Sequence, residues 1–190
     1  MIILTANKNT AITALYASIR DGEPIAYPTD TIYGIGAPLA SIEANEKIYT
    51  IKKRNRTNPL PVLIGSWEQF NELALPLSTD RLQWLEELWS GDKPYTVVVK
   101  ARPTVPILYT KGGTIALRMV KTKWLADAIS VVGAVTATSV NISGSAPLND
   151  PESIKDRFNV KYMLWGDVSN ETPSTIVDIS QEQNQILRDS

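Results

Sequence analysis

The sequence predicts a single α/β domain, an open mixed sheet with flanking helices. Three observations carry that expectation. Stretches with apolar residues at helical spacing alternate with short apolar runs bounded by Gly, Pro and polar clusters along the chain. The 190 residues are ample for one core, and no internal repeat, low-complexity tract or linker divides them. No apolar run approaches the roughly 20 residues that span a bilayer, and the N-terminus lacks a charged-then-apolar signal pattern. No membrane is therefore expected as a partner, and the cytoplasm is the expected compartment.

Taken in order, Ile2-Ile3-Leu4 reads as a short strand. Ile12, Leu15, Tyr16 and Ile19 then fall at helical spacing from Asn9 onward, with Gly22 placed to end the helix. Ile25-Ala26-Tyr27 is a strand that Pro28 terminates, since proline has no N–H for a ladder. Thr29, Asp30 and Thr31 follow on a bend, and then Gly34 and Gly36, which permit close backbone approach or positive φ. This stretch is either a polar turn between strands or one wall of a small-molecule site. Ser41 caps a second helix carrying Ala44, Ile48 and Ile51, which ends in Lys52-Lys53-Arg54-Asn55-Arg56. Cations complement a helix C-terminus, but this run is denser than that role requires and is a candidate phosphate site.

Leu60-Pro61-Val62-Leu63-Ile64 reads as a returning strand with Pro61 at its start or on an edge. Ser66 to Gln69 has the pattern of a capping box, and a helix from Ser78 to Trp89 buries Leu82, Leu85 and Leu88 or Trp89. Its aromatics suit a core better than a base-stacking platform. Tyr95 to Lys100 is a strand, and Lys111-Gly112-Gly113 turns into another, Thr114 to Arg118, which reads as buried on both faces. A helix around Trp124 to Ile129 precedes an apolar strand, Val131 to Ala137, and the hydroxyl-rich loop Thr138 to Gly144. Pro151 opens a helix to Phe158. Tyr162 to Trp165, Ile176 to Ile179 and Ile186 to Arg188 complete the strands.

Composition limits the chemistry. The chain has no cysteine and no histidine, which removes disulfides, thiolate nucleophiles, the usual zinc sites and every histidine base. A net charge of −1 leaves nucleic-acid binding to a local patch. Polar groups gather instead at several strand ends (Thr29 to Thr31, Arg118, Ser139 to Asn141), where open α/β sheets bind ligands. No P-loop or GxGxxG fingerprint is present, so any phosphate must be held by side chains.

Tyr27 to Gly36, Lys52-x-Arg54 with Asn58-Pro59-Leu60, Thr114 to Arg118, Thr138 to Gly144, Ser174 to Asp178 and Ile186 to Arg188 together resemble the YrdC-like threonylcarbamoyl-AMP synthases, over essentially the whole chain. The resemblance implies one YrdC-like domain over 1–190, an open fold around a concave basic groove, in the short form without an added C-terminal domain. It implies an enzyme, a nucleotidyltransferase that joins L-threonine, bicarbonate and ATP for the t6A modification of tRNA. Thr31, Arg118 and Ser174 would hold threonine; Arg54, Asn58, Thr114, Asn141 and Arg188 would hold ATP; and Lys52, Arg54 and Ser139 would serve the chemistry. Mg2+ would be carried mainly by the ATP phosphates, with no metal ligands from the protein. Contact with tRNA, and downstream threonylcarbamoyl-transfer proteins, complete the implied partners.

The sequence departs from the family where Trp89-Ser90-Gly91-Asp92-Lys93-Pro94 replaces a Trp-Pro-Gly-Pro run, where Asn58 stands for a basic residue, and where Met119-Val120 stands for Val-Pro. The first departure bears on one groove wall. Two rival readings stand beside the synthase: an RNA-binding module using Lys52, Lys53, Arg54 and Arg56, and a carbamoyl-transfer domain of the hydrogenase-maturation type.

Overall fold

The chain moves between two sheets where the sequence suggested one. In the computed structural model, which describes residues 1–168 and 172–189, the elements in chain order are β1 (Ile2–Thr5), α1 (Lys8–Asp21), β2 (Ile25–Tyr27), β3 (Gly34–Gly36), α2 (Ile42–Lys52), β4 (Val62–Ile64), α3 (Trp67–Leu73), α4 (Thr79–Ser90), β5 (Tyr95–Lys100), β6 (Thr114–Met119), α5 (Lys123–Val132), β7 (Val135–Thr136), β8 (Thr138–Ser139), α6 (Pro151–Arg157), β9 (Tyr162–Trp165), β10 (Thr175–Asp178) and β11 (Gln185–Arg188). Among the described residues the strands form one sheet in the order β1-β9-β2-β3-β8 and another in the order β11-β10-β5-β6-β4-β7. Both mix parallel pairs (β1 with β9, β4 with β6) and antiparallel ones (β2 with β3, β5 with β6).

The seam lies where β7 pairs with β4 and, one residue after it ends, β8 pairs with β3. Gly36 makes this crossing possible. A Cβ there would overlap the Thr136 carbonyl oxygen and meet the Tyr27 hydroxyl at 2.7 Å. Of the two reasons considered for this glycine, close approach applies, since its φ is not positive. The Tyr27 hydroxyl donates to that same Thr136 oxygen at 2.6 Å, and burial raises its pKa well above the usual phenol value.

Period-two alternation shares each sheet between two cores. In β2 and β9, Ile25, Tyr27, Tyr162 and Leu164 pack with α1 and α5, while Ala26 and Met163 face the cluster under α2 and α6. In β4, Leu63 faces the first of these cores, and Val62 and Ile64 join Phe70, Leu85, Trp89, Val97 and Leu117 in a third. The Trp67, Phe70 and Trp89 rings pack at centroid distances of 5.2–5.7 Å, so these aromatics are core.

Local signals explain most boundaries. Asn7 caps α1 in a reciprocal box with Thr10, and Gly22 ends it at φ 61°. Asp150 caps α6 with Pro151 in its first turn. Three expectations need correction. The strand expected over Val131 to Ala137 starts only at Val135, because α5 continues to Val132 and Gly133 caps it. Ser66 accepts from the Gln69 N–H at 3.4 Å, but the Gln69 side chain bonds Gly65 and Ile129 instead of closing the box. Tyr16 points to solvent, and Ala11, Ala14 and Ser18 form the buried face of α1 with Leu15. Of the two places expected for Pro61, the strand start applies: it immediately precedes β4, an internal strand between β6 and β7.

Candidate active site

A cavity of about 250 Å3 opens between the two sheets, and strand register builds most of its floor. Val97 and Leu117 point into the third core, so the next residues, Thr96 on β5 and Arg118 on β6, point the other way. Arg118 pairs with Leu63 on β4, and Thr96 pairs with Ile176 on β10. One row across the sheet, Ile176-Thr96-Arg118-Leu63, therefore lines the cavity. The other sheet supplies Gly34 and Ser139, which are register partners, and the β2–β3 turn supplies Thr29 and Thr31.

Arg118 is buried at the C-terminal end of β6. It donates from Nη1 to Thr31 Oγ1 at 2.8 Å and from Nη2 to Asp30 Oδ1 at 2.6 Å. The proton order beyond Thr31 follows from its neighbour. Thr29 Oγ1 donates to the Ile32 carbonyl at 2.8 Å, so in the 2.9 Å contact between the two threonine hydroxyls Thr31 is the donor. A guanidinium has five N–H groups; those given to Thr31 and Asp30 leave one on each Nη for a two-pronged carboxylate contact.

On the adjoining wall Ser174 Oγ lies 2.7 Å from Thr96 Oγ1, both buried. Arg188 donates to the Ser174 carbonyl at 2.6 Å from Nη2, which ties β11 to this wall. Burial, then the charge of Arg118, lowers the Arg188 pKa. Arg54 enters from the end of α2, its Nε on the Asn58 carbonyl at 2.8 Å and Nη2 on the Pro59 carbonyl at 3.0 Å. Lys53 takes the left-handed conformation of a helix cap (φ 51°), and this turn redirects the chain toward Arg54.

Of the residues singled out from the sequence, Thr31, Arg54, Arg118, Ser139, Ser174 and Arg188 line the cavity. Four do not. Lys52 is buried behind the wall: Nζ donates to the Ser139 carbonyl and, at 2.8 Å each, to the Asn141 carbonyl and Oδ1. Burial and the nearby Arg54 charge bring its pKa down to about 8. Asn141 is the hub of that knot, also accepting from Ser139 Oγ and donating to the Ser145 carbonyl at 2.6 Å each. Asn58 is exposed and meets the site through its carbonyl on Arg54. Thr114 stands at the opposite end of β6, bonded to Lys111; four strand residues place it about 13 Å from Arg118.

Sequence reasoning placed Thr29 and Asp30 in a candidate site wall without a specific role for either, and it passed over Thr96. Asp30 and Thr29 share the bend with Thr31. Thr96 was signalled by a hydroxyl within an otherwise Val-rich strand. The altered Trp89 to Pro94 segment forms the end of α4 and the turn into β5, and none of it is among the residues that line the cavity. The basic run is not a free cationic face either. Lys52 is buried, Arg54 turns into the cavity, and Arg56 pairs with Glu46, which leaves Lys53 outward. That weakens the RNA-binding alternative.

Known proteins resemble this chain over most of its length. A family model named for Sua5, YciO and YrdC, described as "Telomere recombination", matches residues 17–190. The chain is 32% identical over 174 residues to the threonylcarbamoyl-AMP synthase of Chromobacterium violaceum, covering 90% of this chain and 88% of that protein. It superimposes on Pyrococcus abyssi Sua5, solved in complex with L-threonine, with a TM-score of 0.87 and 27% identity. That match covers 99% of this chain and spans 57% of the longer archaeal protein. Escherichia coli YciO, at 22% identity and a TM-score of 0.83, shares the fold, with coverage of 98% of this chain and 92% of that one.

Proposed function

Because the chain belongs to the Sua5/YciO/YrdC family, we propose that it is an enzyme that condenses L-threonine, bicarbonate and ATP into L-threonylcarbamoyladenylate and pyrophosphate. The observation that carries the reading is the Arg118 end of the cavity. A buried guanidinium with one N–H left on each Nη sits beside Thr31 and the Ser174–Thr96 hydroxyl pair. This set suits a small hydroxylated amino acid, with its carboxylate on Arg118.

In the proposed reaction the threonine amine attacks the carbon of bicarbonate, and loss of water leaves a carbamate. A carbamate oxygen then bonds to the α-phosphorus of ATP as the bond to pyrophosphate breaks, a nucleotidyl transfer. Negative charge grows on the phosphoryl oxygens and the departing pyrophosphate, and Arg54 and Arg188 supply fixed positive charge against it. Ser139, at the junction of the walls, is placed to orient the reacting groups. Lys52 and Asn141 act through Ser139 in this scheme. The carbamate is itself the nucleophile, so a chain without histidine can run it.

Among the described residues no carboxylate lines the cavity, and no cluster of three or more His, Cys, Asp or Glu could hold a metal. These residues do not fit a protein-held Mg2+. Any Mg2+ belongs to the substrate as its complex with ATP. The proposal includes a cytoplasmic reaction serving tRNA t6A synthesis, with the labile product passed to a threonylcarbamoyl-transfer protein. Among the described residues no helix is long and apolar enough to cross a membrane.

The test is pyrophosphate release with each substrate omitted in turn. Release is expected only when ATP, L-threonine and bicarbonate are all present; equal turnover without threonine refutes the synthase reading.

A further inference from the structure

The three guanidiniums that line the cavity among the described residues are not electrically alike. Arg118 has a carboxylate partner, Asp30, and both side chains are 8% exposed. Arg54 and Arg188 are oriented by backbone carbonyls, which fix their direction without cancelling their charge. The Asp30–Arg118 contact is also a poor structural clamp. Asp30 Oδ2 and Arg118 Nε are buried without hydrogen-bond partners among the described residues, so the pair uses one bond where a fork could make two. What Asp30 contributes to this end of the cavity is mainly its charge.

We propose that Asp30 is a specificity residue that divides the cavity by charge: with Arg118 it makes a neutral subsite for a zwitterionic amino acid, and it leaves Arg54 and Arg188 to take phosphates. The identity of the two ligands rests on the synthase reading; the division of charge does not. A desolvated guanidinium binds phosphate at least as readily as carboxylate, and a pyrophosphate carries more charge than a threonine carboxylate. Without Asp30, product pyrophosphate or misplaced ATP would compete for Arg118. With Asp30 the pair has no net charge, so a polyanion gains little from that end. A zwitterion, itself neutral, keeps the two Nη N–H groups for its carboxylate, and its ammonium is compatible with the nearby acid.

The test is calorimetry on the full chain at fixed ionic strength, with L-threonine and inorganic pyrophosphate as probes. In the unmodified protein the threonine dissociation constant is expected to be the same with and without saturating pyrophosphate. In Asp30→Asn, pyrophosphate should weaken threonine binding by about tenfold or more, the scale of one uncompensated charge at close range. Asp30→Asn/Arg118→Gln should lose that extra pyrophosphate site. Strong competition in the unmodified protein overturns the proposal whether or not the variant folds, as does equal competition in the two proteins. If threonine binds neither protein, the synthase reading fails separately, and pyrophosphate affinity alone decides: unchanged affinity or stoichiometry in Asp30→Asn overturns the charge division.

Discussion

Replacing Lys52 by methionine tests whether this lysine acts on the phosphates or through the wall that carries Ser139. Methionine keeps the unbranched stem, one atom shorter, and withdraws the ammonium from the Ser139 carbonyl, the Asn141 carbonyl and Asn141 Oδ1. Asn141 Oδ1 retains the Ser139 hydroxyl at 2.6 Å, so the two carbonyls bear most of the loss. Leaving them without the lysine costs roughly 2–6 kcal/mol at 1–3 each. Removing a charge whose pKa burial has lowered from 10.5 to about 8 returns roughly 3 kcal/mol. Stability should therefore change by no more than about 3 kcal/mol in urea unfolding, while pyrophosphate release at saturating substrates falls about 10²-fold. Asn141→Ala should slow release similarly, because it breaks the same knot. The double variant should be about as slow as the slower single one, a coupling near 3 kcal/mol. Losses that multiply to about 10⁴ would refute this reasoning, since they would mean that Lys52 reaches the phosphates on its own.

Arg118→Lys keeps the charge but loses the fork, so it should raise the threonine requirement, and Arg118→Ala should raise it far more than the ATP requirement; unchanged threonine dependence of pyrophosphate release in both would make Arg118 structural. Gly36→Ala should destabilise the fold by about 3 kcal/mol or more, because the methyl meets backbone at the seam; a melting temperature within a degree of the parent would show that the sheets can separate there. Lys52 also sets a pH dependence. Its folded pKa lies below its ordinary value, so between about pH 8 and 10.5 the unfolded chain holds more protons at this site, and the cost of burying the charge is relieved as pH rises. Over that window the stability of the parent relative to Lys52→Met should increase by up to roughly 3 kcal/mol; a falling difference would mean that the three acceptors hold the proton more firmly than burial expels it.

Most element positions were legible because their causes are local. Gly22 ends α1, Pro151 opens α6, and the Gly112-Gly113 turn, at φ 57° and 75°, leads into β6. Mistakes arose where a non-local partner decided. Gln69 had a cap to close and instead reached the Ile129 carbonyl on another helix. The Val131 to Ala137 run had strand composition throughout, but its first residues were claimed by α5, whose buried face continues from Leu125 to Ala128 and Ile129. The division into two sheets was likewise invisible, since short apolar strands do not say which neighbour they will pair with.

By itself, the sequence determined an α/β chain without histidine or cysteine, whose hydroxyls and cations gather at strand ends, and with it the class of chemistry available. The tertiary structure decided which of those groups share one space. Arg118 and Ser174 meet because β5, β6 and β10 align in one register and a single face of that row borders the gap between sheets. Thr114 shares a strand with Arg118 but stands at its other end. Lys52 and Arg54 are two residues apart, yet one is turned inward onto Asn141 and the other into the cavity, because the helix ends between them and Lys53 reverses the backbone. Asp30 acquires its partner from a strand 88 positions away. Side-chain direction and long-range pairing are set by packing that minimises buried, unpaired polar groups over the whole chain, and no local window of sequence contains that information.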